Sequence, residues 1–344
     1  MDIQQIENLK LNFILTTART GSTLLSSMLN THPNVISTVE EPFAYSLYDG
    51  YKNIKKWNSE IIQQYCYDFY LFSEGKFEVQ FGTKKELENV LEQHKENLTI
   101  TLAIKLTYLC FFPNKEKNNI TTIVDKQLLF HSCLEEVVAY YPQSKFIILH
   151  RDPRDNAFTK WRMYENKKQF NQQNYYLIAS EWKYVYGKLL QLKKTINNER
   201  ILEVKYEDLV TNPEAELKKI SFFLGIAYTN IMLTYDERIK DEINLLKETK
   251  SLKYVMPFQD GIIQKPKTDK IDYWKQGLKP TEANMIWAVC GNLAKQIGYI
   301  EDGQFIAQPI KLKNRLLYTK ILADKIKTKL YYASSFFIKQ LLKK

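Results

Sequence analysis

The sequence predicts an α/β fold in which a single parallel sheet is flanked by helices. Short apolar and β-branched runs recur along the chain, and stretches with helical periodicity separate them. The first run, residues 11–17, leads into a glycine-containing loop and then into a helical pattern. Strand, helix and parallel strand form the repeating unit of such sheets. The 344 residues, of which 44% are hydrophobic, can bury the core that this fold needs.

The other elements follow in order along the chain. The first helix is predicted to end at His32-Pro33, because proline disfavours helical backbone in the preceding residue. Later strands are predicted at residues 35–39, 99–108, 145–150 and 200–204, and helices at residues 59–72 and 281–297. No fixed-period repeat and no linker rich in Pro, Gly or Ser occurs before about residue 305. Residues 1–305 are therefore predicted to form one domain, in which residues 45–98 are an insertion that binds an acceptor substrate.

The net charge of +10 is concentrated at the C-terminal end. Residues 311–344 hold ten Lys or Arg and one acid, and they contribute +9. The rest of the chain is nearly neutral, so the charge balance does not indicate nucleic-acid binding. Within residues 306–344, six apolar residues recur at three- or four-residue spacing: Leu322, Ile326, Leu330, Ala333, Phe337 and Leu341. This pattern predicts a basic amphipathic helix, which either packs on the domain or lies on an anionic membrane surface.

The sequence also bears on location and on metal binding. No apolar run reaches the roughly 18 residues of a membrane-spanning helix, and the first ten residues lack the pattern of a signal peptide. We therefore expect a cytoplasmic protein, with peripheral contact to the inner membrane surface left open by the basic tail. The four cysteines are far apart and form no ligand pattern with the four histidines, so reduced cysteines and no metal site are predicted.

The loop after the first strand reads Arg19-Thr20-Gly21-Ser22-Thr23. A glycine between a buried strand and a helix lets backbone N–H groups and the helix dipole converge on an anion. Ser22 and Thr23 add hydroxyl donors, and Arg19 adds a charge that can fork onto phosphate or sulfonate oxygens. A short Gly-Ser-Thr run also occurs as a plain helix cap. The ATP-binding loop GxxxxGK[ST] contains a lysine that this loop lacks.

A second segment joins a strand to a helix. Residues 146–150 are apolar and end at Arg151-Asp152-Pro153, and the segment continues to Thr159 and Trp161. Asp152 is predicted to be the N-cap, with Pro153 at the first helical position. Taken alone, Arg151 could be an exposed residue at a helix cap that pairs with Asp155.

Together these two segments resemble sulfotransferases that use 3'-phosphoadenosine 5'-phosphosulfate (PAPS). The loop at residues 19–23 is similar to the 5'-phosphosulfate loop of that family, as are the residues that follow it up to His32-Pro33. Arg151 and Thr159, eight residues apart, match the positions that hold the 3'-phosphate. Further similar stretches extend the resemblance over about residues 11–300: residues 204–210, residues 213–225 and Tyr273-Trp274-Lys275.

The resemblance, nearest to the bacterial and glycan-type branches, implies a P-loop NTPase-like sulfotransferase fold. It also implies transfer of the sulfonate group of PAPS, as co-substrate and without a metal, to a hydroxyl or amine. The acceptor is unidentified: carbohydrate and lipid-linked molecules are favoured, and small aromatic acceptors are also open. The residues implied to bind PAPS are Arg19, Thr20, Gly21, Ser22, Thr23, Arg151, Thr159, Lys267 and Lys270. Many family members close the 3'-phosphate site with a Lys-Gly pair, whereas this chain offers Lys265, Lys267 and Lys270 without the glycine.

The remaining implied roles are catalytic. Glu41, in Glu41-Pro42, fits the glutamate that serves as general base in the glycan and bacterial branches. Glu40 competes for that role, but neighbouring side chains of an extended segment point to opposite faces, so one of the two can face the site. Lys105, on the predicted strand 99–108, and Arg19 would neutralise the transferring sulfonate.

Two alternative functions share some of these sequence features. An ATP-dependent P-loop kinase or other phosphotransferase shares the strand, loop and helix, but the missing GK[ST] and the Arg151 to Thr159 pair count against it. A nucleotide-binding, membrane-peripheral protein without catalysis finds its support in the basic tail. The presence of a general-base candidate and of both phosphate-binding segments favours the enzyme.

Overall fold

The computed structural model describes residues 1–39, 43–73, 81–128, 132–164, 173–239, 265 and 267–300, together with Thr319, Ala323 and Ile326. Glu40 and Glu41 lie outside the described residues, as does nearly all of the predicted tail helix. Ile326, one of the six residues assigned to the apolar face of that helix, has 62% of its surface exposed. The amphipathic tail and the general base therefore stay predictions from the sequence.

Five parallel strands form one sheet in the order β2-β3-β1-β4-β5. The strands are β1 (Lys10–Leu15), β2 (Val35–Val39), β3 (Thr122–Gln127), β4 (Phe146–His150) and β5 (Ile201–Lys205). β1 lies at the centre, with Phe13 paired to Asp125 on one side and to Phe146 on the other. The predicted α/β class with a parallel sheet is confirmed. All six residues of β3 and all five of β4 are buried, as expected for strands covered on both faces.

Twelve helices accompany the sheet within the described ranges. The helices up to β3 are α1 (Ile3–Glu7), α2 (Ser22–Thr31), α3 (Phe43–Tyr51), α4 (Ser59–Ser73), α5 (Lys84–Gln93) and α6 (Ile100–Leu109). Those after β3 are α7 (Leu134–Tyr140), α8 (Pro153–Tyr164), α9 (Gln173–Thr195), α10 (Tyr206–Thr211), α11 (Pro213–Leu224) and α12 (Pro280–Gln296). The helices predicted at residues 59–72 and 281–297 correspond to α4 and α12.

The two faces of the sheet carry separate hydrophobic cores, because successive strand residues point to opposite sides. On one side, Ile14 and Leu149 pack with residues of α2, α10 and α11. On the other side, Phe13 and Phe146 pack with residues of α6, α9 and α12. Helices α3, α4 and α5, from the region predicted to be an insertion, contribute to this second core.

The predicted strand at residues 99–108 is wrong, because this segment forms helix α6. Thr99 is the N-cap, and its hydroxyl accepts a hydrogen bond from the backbone N–H of Leu102 at 3.2 Å. The third strand of the sheet in chain order is instead β3, which the sequence analysis missed. A continuous apolar run reads alike as a buried strand or a buried helix, and the ten-residue length of this one favours the helix. The error also moves the lysine assigned to that strand.

Candidate active site

The loop between β1 and α2 takes the conformation that an anion-binding turn needs. Arg19 and Gly21 have φ angles of 66° and 83°, and α2 begins at Ser22. A Cβ atom on Gly21 would lie 2.4 Å from Cδ2 of Tyr206, so both the backbone angle and the close ring require glycine. The N–H groups of the first turn of α2 have no intrahelical partner, and they carry the positive end of the helix dipole.

The side chain of Thr20 stabilises this loop from inside the protein. Its side chain is fully buried, and its hydroxyl donates to the backbone oxygen of Thr17 at 2.9 Å. It also lies 2.6 Å from the hydroxyl of Thr16, which in turn donates to the backbone oxygen of Leu149 on β4. The predicted binding role of Thr20 is therefore open to its backbone N–H, while its side chain serves to shape the loop.

The second predicted segment lies directly against the loop. Arg151, which follows β4, donates from Nη1 to the backbone oxygen of Arg19 at 2.9 Å. Asn156, on the first turn of α8, donates from Nδ2 to the backbone oxygen of Ala18 at 2.8 Å. The structure thus brings together the two segments that the sequence singled out separately. Asn156 is a loop-positioning residue that the sequence analysis missed.

The start of α8 is built by the predicted cap. The Asp152 carboxylate accepts from the backbone N–H of Arg154 at 2.7 Å, and the helix begins at Pro153. Asp152 also accepts from the Arg154 guanidinium at 2.7 Å and 3.0 Å. This rigid turn fixes the residue that precedes it, Arg151.

Arg151 and Thr159 both present buried donors to the site. The Arg151 guanidinium lies 4.4 Å from the ring centre of Tyr206 and donates from Nη2 to the backbone oxygen of Lys270 at 2.9 Å. Its Nε is buried and has no hydrogen-bond partner among the described residues. The Thr159 hydroxyl is in the same state within the described part of the chain. Buried donors are normally satisfied, so these two atoms fit a bound acceptor such as a phosphate oxygen.

A returning segment, residues 267–276, covers Arg151. It contains two short 3₁₀ turns, Thr268–Lys270 and Tyr273–Gln276. The backbone N–H of Trp274 donates to Asp155 at 2.8 Å, and the Lys270 ammonium lies 3.9 Å from the ring centre of Tyr273. Burial raises the pKa of Asp155 to about 7, against the opposing effect of the Arg151 charge.

Three lysines were candidates for closing the nucleotide site from this segment. Lys270 is held beside Arg151 through its backbone oxygen. The side chains of Lys265 and Lys267 are exposed. Lys270 is therefore the lysine that the described contacts bring to the Arg151 side of the site.

Lys126 is the charged residue that the sequence analysis missed. It lies near the carboxyl end of β3, where it pairs with Ile14 of β1 and Val39 of β2, and it is 1% exposed. Its ammonium donates to the Thr23 hydroxyl at 3.2 Å. The structure thus places a buried positive charge against the start of α2, beside the loop.

Lys105 lies at the other end of the sheet. It is on α6, and its ammonium donates to the backbone oxygen of Glu7 at 2.5 Å. Glu7 precedes the amino end of β1, whereas the loop follows the carboxyl end. Burial lowers the pKa of Lys105. The structure therefore does not bring Lys105 together with the loop, Arg151 or Lys126.

Two further features of the described residues concern metal binding and membrane spanning. Among the described residues, no cluster of three or more His, Cys, Asp or Glu side chains could hold a metal ion. None of the helices in the described ranges combines the length and the hydrophobicity needed to cross a bilayer.

The chain resembles known proteins over most of its length. A family model described as "Sulfotransferase family" matches residues 13–230, which include the loop, Lys126, Arg151 and Thr159. Among solved structures, the sulfotransferase domain of the Synechococcus PCC 7002 olefin synthase has a TM-score of 0.54 and 20% identity. The match covers 86% of this chain and 97% of that domain. This likeness shows that the fold is shared.

Curated relatives were found at lower coverage. The chain is 21% identical to "Protein-tyrosine sulfotransferase A" of Caenorhabditis elegans over 266 residues, which cover 76% of this chain and 60% of that protein. It is 24% identical to "Protein-tyrosine sulfotransferase 2" of Gallus gallus over 240 residues, covering 68% of this chain and 56% of that protein. The chain thus spans less than two thirds of the length of these relatives.

Proposed function

The chain belongs to the sulfotransferase family, and we propose that it transfers the sulfonate group of PAPS to the hydroxyl of a tyrosine side chain in a protein. The observation that carries the proposal is the junction of the loop with Arg151. It joins the loop at the start of α2, where Lys126 donates to Thr23, to Arg151, whose buried Nε, like the buried Thr159 hydroxyl, has no hydrogen-bond partner among the described residues. A nucleotide with a 5'-phosphosulfate and a 3'-phosphate matches this division into two anion subsites.

The loop is proposed to hold the 5'-phosphosulfate. The backbone N–H groups after Gly21 and the hydroxyls of Ser22 and Thr23 supply neutral donors at the positive end of α2. Arg19, on the same loop, supplies a charge that suits phosphate and sulfonate oxygens. These residues fit the group without rearrangement of the fold, since the Gly21 backbone already has the left-handed conformation.

The 3'-phosphate is proposed to bind at Arg151. Its buried Nε and the buried Thr159 hydroxyl have no hydrogen-bond partner among the described residues, and the segment that bears Lys267 and Lys270 contacts Arg151 through the backbone oxygen of Lys270. Hydrogen bonds to charged groups contribute about 1.5–3 kcal/mol each. This subsite would distinguish PAPS from nucleotides that lack a 3'-phosphate.

Sulfonate transfer involves three changes at the reacting atoms. In the transfer, the bond from sulfur to the phosphate oxygen breaks, a bond from sulfur to the acceptor oxygen forms, and the hydroxyl proton leaves. Lys126 and Arg19 are proposed to neutralise the negative charge on the transferring and leaving oxygens, as amides and cations do in phosphoryl transfer. Because these groups supply the positive charge, we propose that the reaction does not require Mg²⁺.

The proton acceptor is proposed to be Glu41. It lies outside the described residues, two positions after Val39, which pairs with Lys126 in the sheet. A glutamate near its ordinary pKa of about 4.3 is a weak base at neutral pH, so this role requires burial against the acceptor to raise its pKa.

The acceptor class rests on the named relatives. Both are described as protein-tyrosine sulfotransferases, which supports a tyrosyl hydroxyl over the carbohydrate and lipid-linked acceptors that the sequence favoured. Identity of 21% to 24% and partial coverage of their length make this acceptor a proposal for this chain.

Transfer of label from sulfur-labelled PAPS tests the proposal. The acceptor panel holds a tyrosine peptide with acidic flanking residues, the same peptide with phenylalanine, a glycan mixture and a lipid extract. We expect label on the tyrosine peptide and none on the phenylalanine peptide. Label on glycan or lipid alone would overturn the acceptor and leave sulfonate transfer standing. Transfer of phosphate from ATP, with none from PAPS, would overturn the proposed function.

A further inference from the structure

A buried carboxylate lies beneath the carboxyl edge of the sheet. Asp125, on β3, is 1% exposed. It accepts hydrogen bonds from the Thr38 hydroxyl at 3.0 Å, the Tyr108 hydroxyl at 2.6 Å and the Gln127 amide at 2.7 Å. We call these four residues the Asp125 cluster. The cluster joins β2, β3 and α6, and no role described above uses it.

The cluster lies next to the transfer site through the alternation of β3. Asp125 and Gln127 point toward α6, whereas Lys126 between them points toward α2 and contacts Thr23. The position of the Lys126 ammonium therefore depends on how the end of β3 is held. The Asp125 carboxylate stabilises that end through two hydrogen bonds, one from the Thr38 hydroxyl on the neighbouring strand β2 and one from the Gln127 amide.

Ionisation of the buried Asp125 carboxyl destabilises the folded state. Burial raises the pKa of Asp125 to about 7, although its three donors and the nearby Lys126 charge all lower it. A carboxyl group whose pKa is raised on folding takes up protons in the folded state. Its protonated form therefore favours folding at low pH, and that contribution is lost as pH rises from the unfolded pKa toward about 7.

The groups that face Asp125 have different titration ranges. From α6, Tyr108 lies against it, and from the end of α7, Tyr141 is close enough to sense its charge. Burial raises the pKa of both phenols well above the ordinary value. Lys126 is the cation that acts on Asp125, while Thr38 and Gln127 do not titrate. Asp125 is therefore the member of this set expected to change protonation state near neutral pH.

We propose that ionised Asp125 is a positioning residue for the sulfonate transfer, holding the end of β3 so that Lys126 stays against the loop. The inference rests on the proposed function. The ionised carboxylate can accept from all three donors at once, as the structure shows. A protonated carboxyl donates from one of its two oxygens, so the hydrogen bond on that side must reverse, as the Thr38 and Tyr108 hydroxyls allow, or break, as at the Gln127 amide.

The test compares Asp125→Asn with the wild type across pH 6 to 9. We expect wild-type kcat to rise with pH through about 7. The variant is expected to lose the part of that rise that Asp125 causes, while any part due to Glu41 or Asp155 stays the same in both proteins, and its kcat at pH 8 should be about ten- to a hundredfold lower, the scale of one hydrogen bond to a charged group. Because Asp125 is not among the residues proposed to bind the nucleotide, the KM for PAPS should change little. The difference between the melting temperature of the variant and that of the wild type should be more positive at pH 8 than at pH 5.

Asp68→Asn is the matched control. Asp68 is also buried and accepts hydrogen bonds from a tyrosine hydroxyl and a glutamine amide, those of Tyr51 and Gln64, both at 2.7 Å, but it lies on α4. Because α4 belongs to the region predicted to bind the acceptor, the variants are compared by kcat at saturating peptide. A structural effect of removing a buried carboxylate should appear in both variants. The loss of the pH-dependent rise should appear in Asp125→Asn alone.

Tyr108→Phe supplies a second variant in case Asp125→Asn does not fold. Removing the Tyr108 hydroxyl takes away a donor that lowers the Asp125 pKa, so the rise in kcat should move to higher pH. An unshifted rise in Tyr108→Phe, or an unchanged rise in Asp125→Asn, overturns the proposal.

Binding of adenosine 3',5'-bisphosphate by the wild type separates this inference from the proposed function. Absent binding and absent transfer would overturn the proposed function, and the inference with it. Normal binding and transfer with an unchanged pH profile in Asp125→Asn would overturn only the role of Asp125.

Discussion

Arg151 donates a hydrogen bond from Nη1 to the backbone oxygen of Arg19, 2.9 Å away, across a sequence separation of 132 residues. This bond ties the two proposed anion subsites together. The loop that begins α2 and the turn that begins α8 are therefore one structural unit.

The 3'-phosphate subsite is tested by Thr159→Val, which removes a hydroxyl and keeps the shape of the side chain. We expect adenosine 3',5'-bisphosphate to bind about ten- to a hundredfold more weakly, the scale of a hydrogen bond to a charged group worth about 1.5–3 kcal/mol. Adenosine 5'-monophosphate should bind as before, because it lacks the 3'-phosphate. Calorimetric titration measures both. Thr195→Val, at the far end of α9, is the control, and equal losses for the two nucleotides would contradict the assignment.

Two lysines compete for the role of neutralising the transferring group. Lys126→Met should lower kcat by about a hundredfold, as expected when one donor to developing charge is removed. Lys105→Met should leave kcat nearly unchanged, because its ammonium contacts Glu7 at the amino end of β1. Steady-state kinetics with PAPS and a tyrosine peptide decide between them. Loss of turnover in Lys105→Met, with Lys126→Met unaffected, would contradict the structural placement.

Part of the fold around the candidate site could be predicted from the sequence, because those elements are encoded locally. Strand β1, the loop at Gly21 and the cap at Asp152 each follow from a short pattern of apolar, glycine and capping residues. Strand β3 was missed because its second half is Asp125-Lys126-Gln127, which does not resemble a buried strand. Helix α6 was mistaken for that strand because it is apolar almost throughout. Because the predicted strand was residues 99–108, the lysine predicted to neutralise the sulfonate was Lys105 and not Lys126.

Other parts of the site depend on distant contacts that no local pattern carries. These contacts form only when β1, β4 and α8 meet: the inward-facing Thr20 hydroxyl, the bond from Asn156 to Ala18, and the buried donors of Arg151 and Thr159 that have no partner in the described part of the chain. The order of strands decides these contacts, and spacing within one segment does not. The β-branched run at residues 120–124 is a signal that could have found strand β3, and with it Lys126.

The general base is tested by two neighbouring substitutions. Glu41→Gln should keep nucleotide affinity and lower turnover by roughly 10²–10⁴-fold, the usual contribution of a positioned acid or base. Glu40→Gln should do much less. Turnover with the tyrosine peptide and titration with adenosine 3',5'-bisphosphate are measured on the same samples. The reverse order of effects would assign the base to Glu40, and no effect in either variant would exclude both.

The basic tail is tested by sedimentation with vesicles. If the predicted helix in residues 306–344 lies on a membrane surface, the intact chain should bind anionic vesicles, and binding should weaken with salt. Deletion of residues 311–344 should abolish that binding and leave the melting temperature of the domain unchanged. An intact chain that ignores anionic vesicles, together with a deletion variant that unfolds, would place the tail against the domain.

The most direct test of the account is a titration of the wild-type protein with adenosine 3',5'-bisphosphate in the presence of EDTA. Because Arg19, Lys126, Arg151 and the start of α2 supply the positive partners, we predict binding without Mg²⁺, tighter than that of adenosine 5'-monophosphate and of ATP. Tight binding of ATP that requires Mg²⁺, with no preference for the 3'-phosphate, would contradict the account and indicate a phosphotransferase.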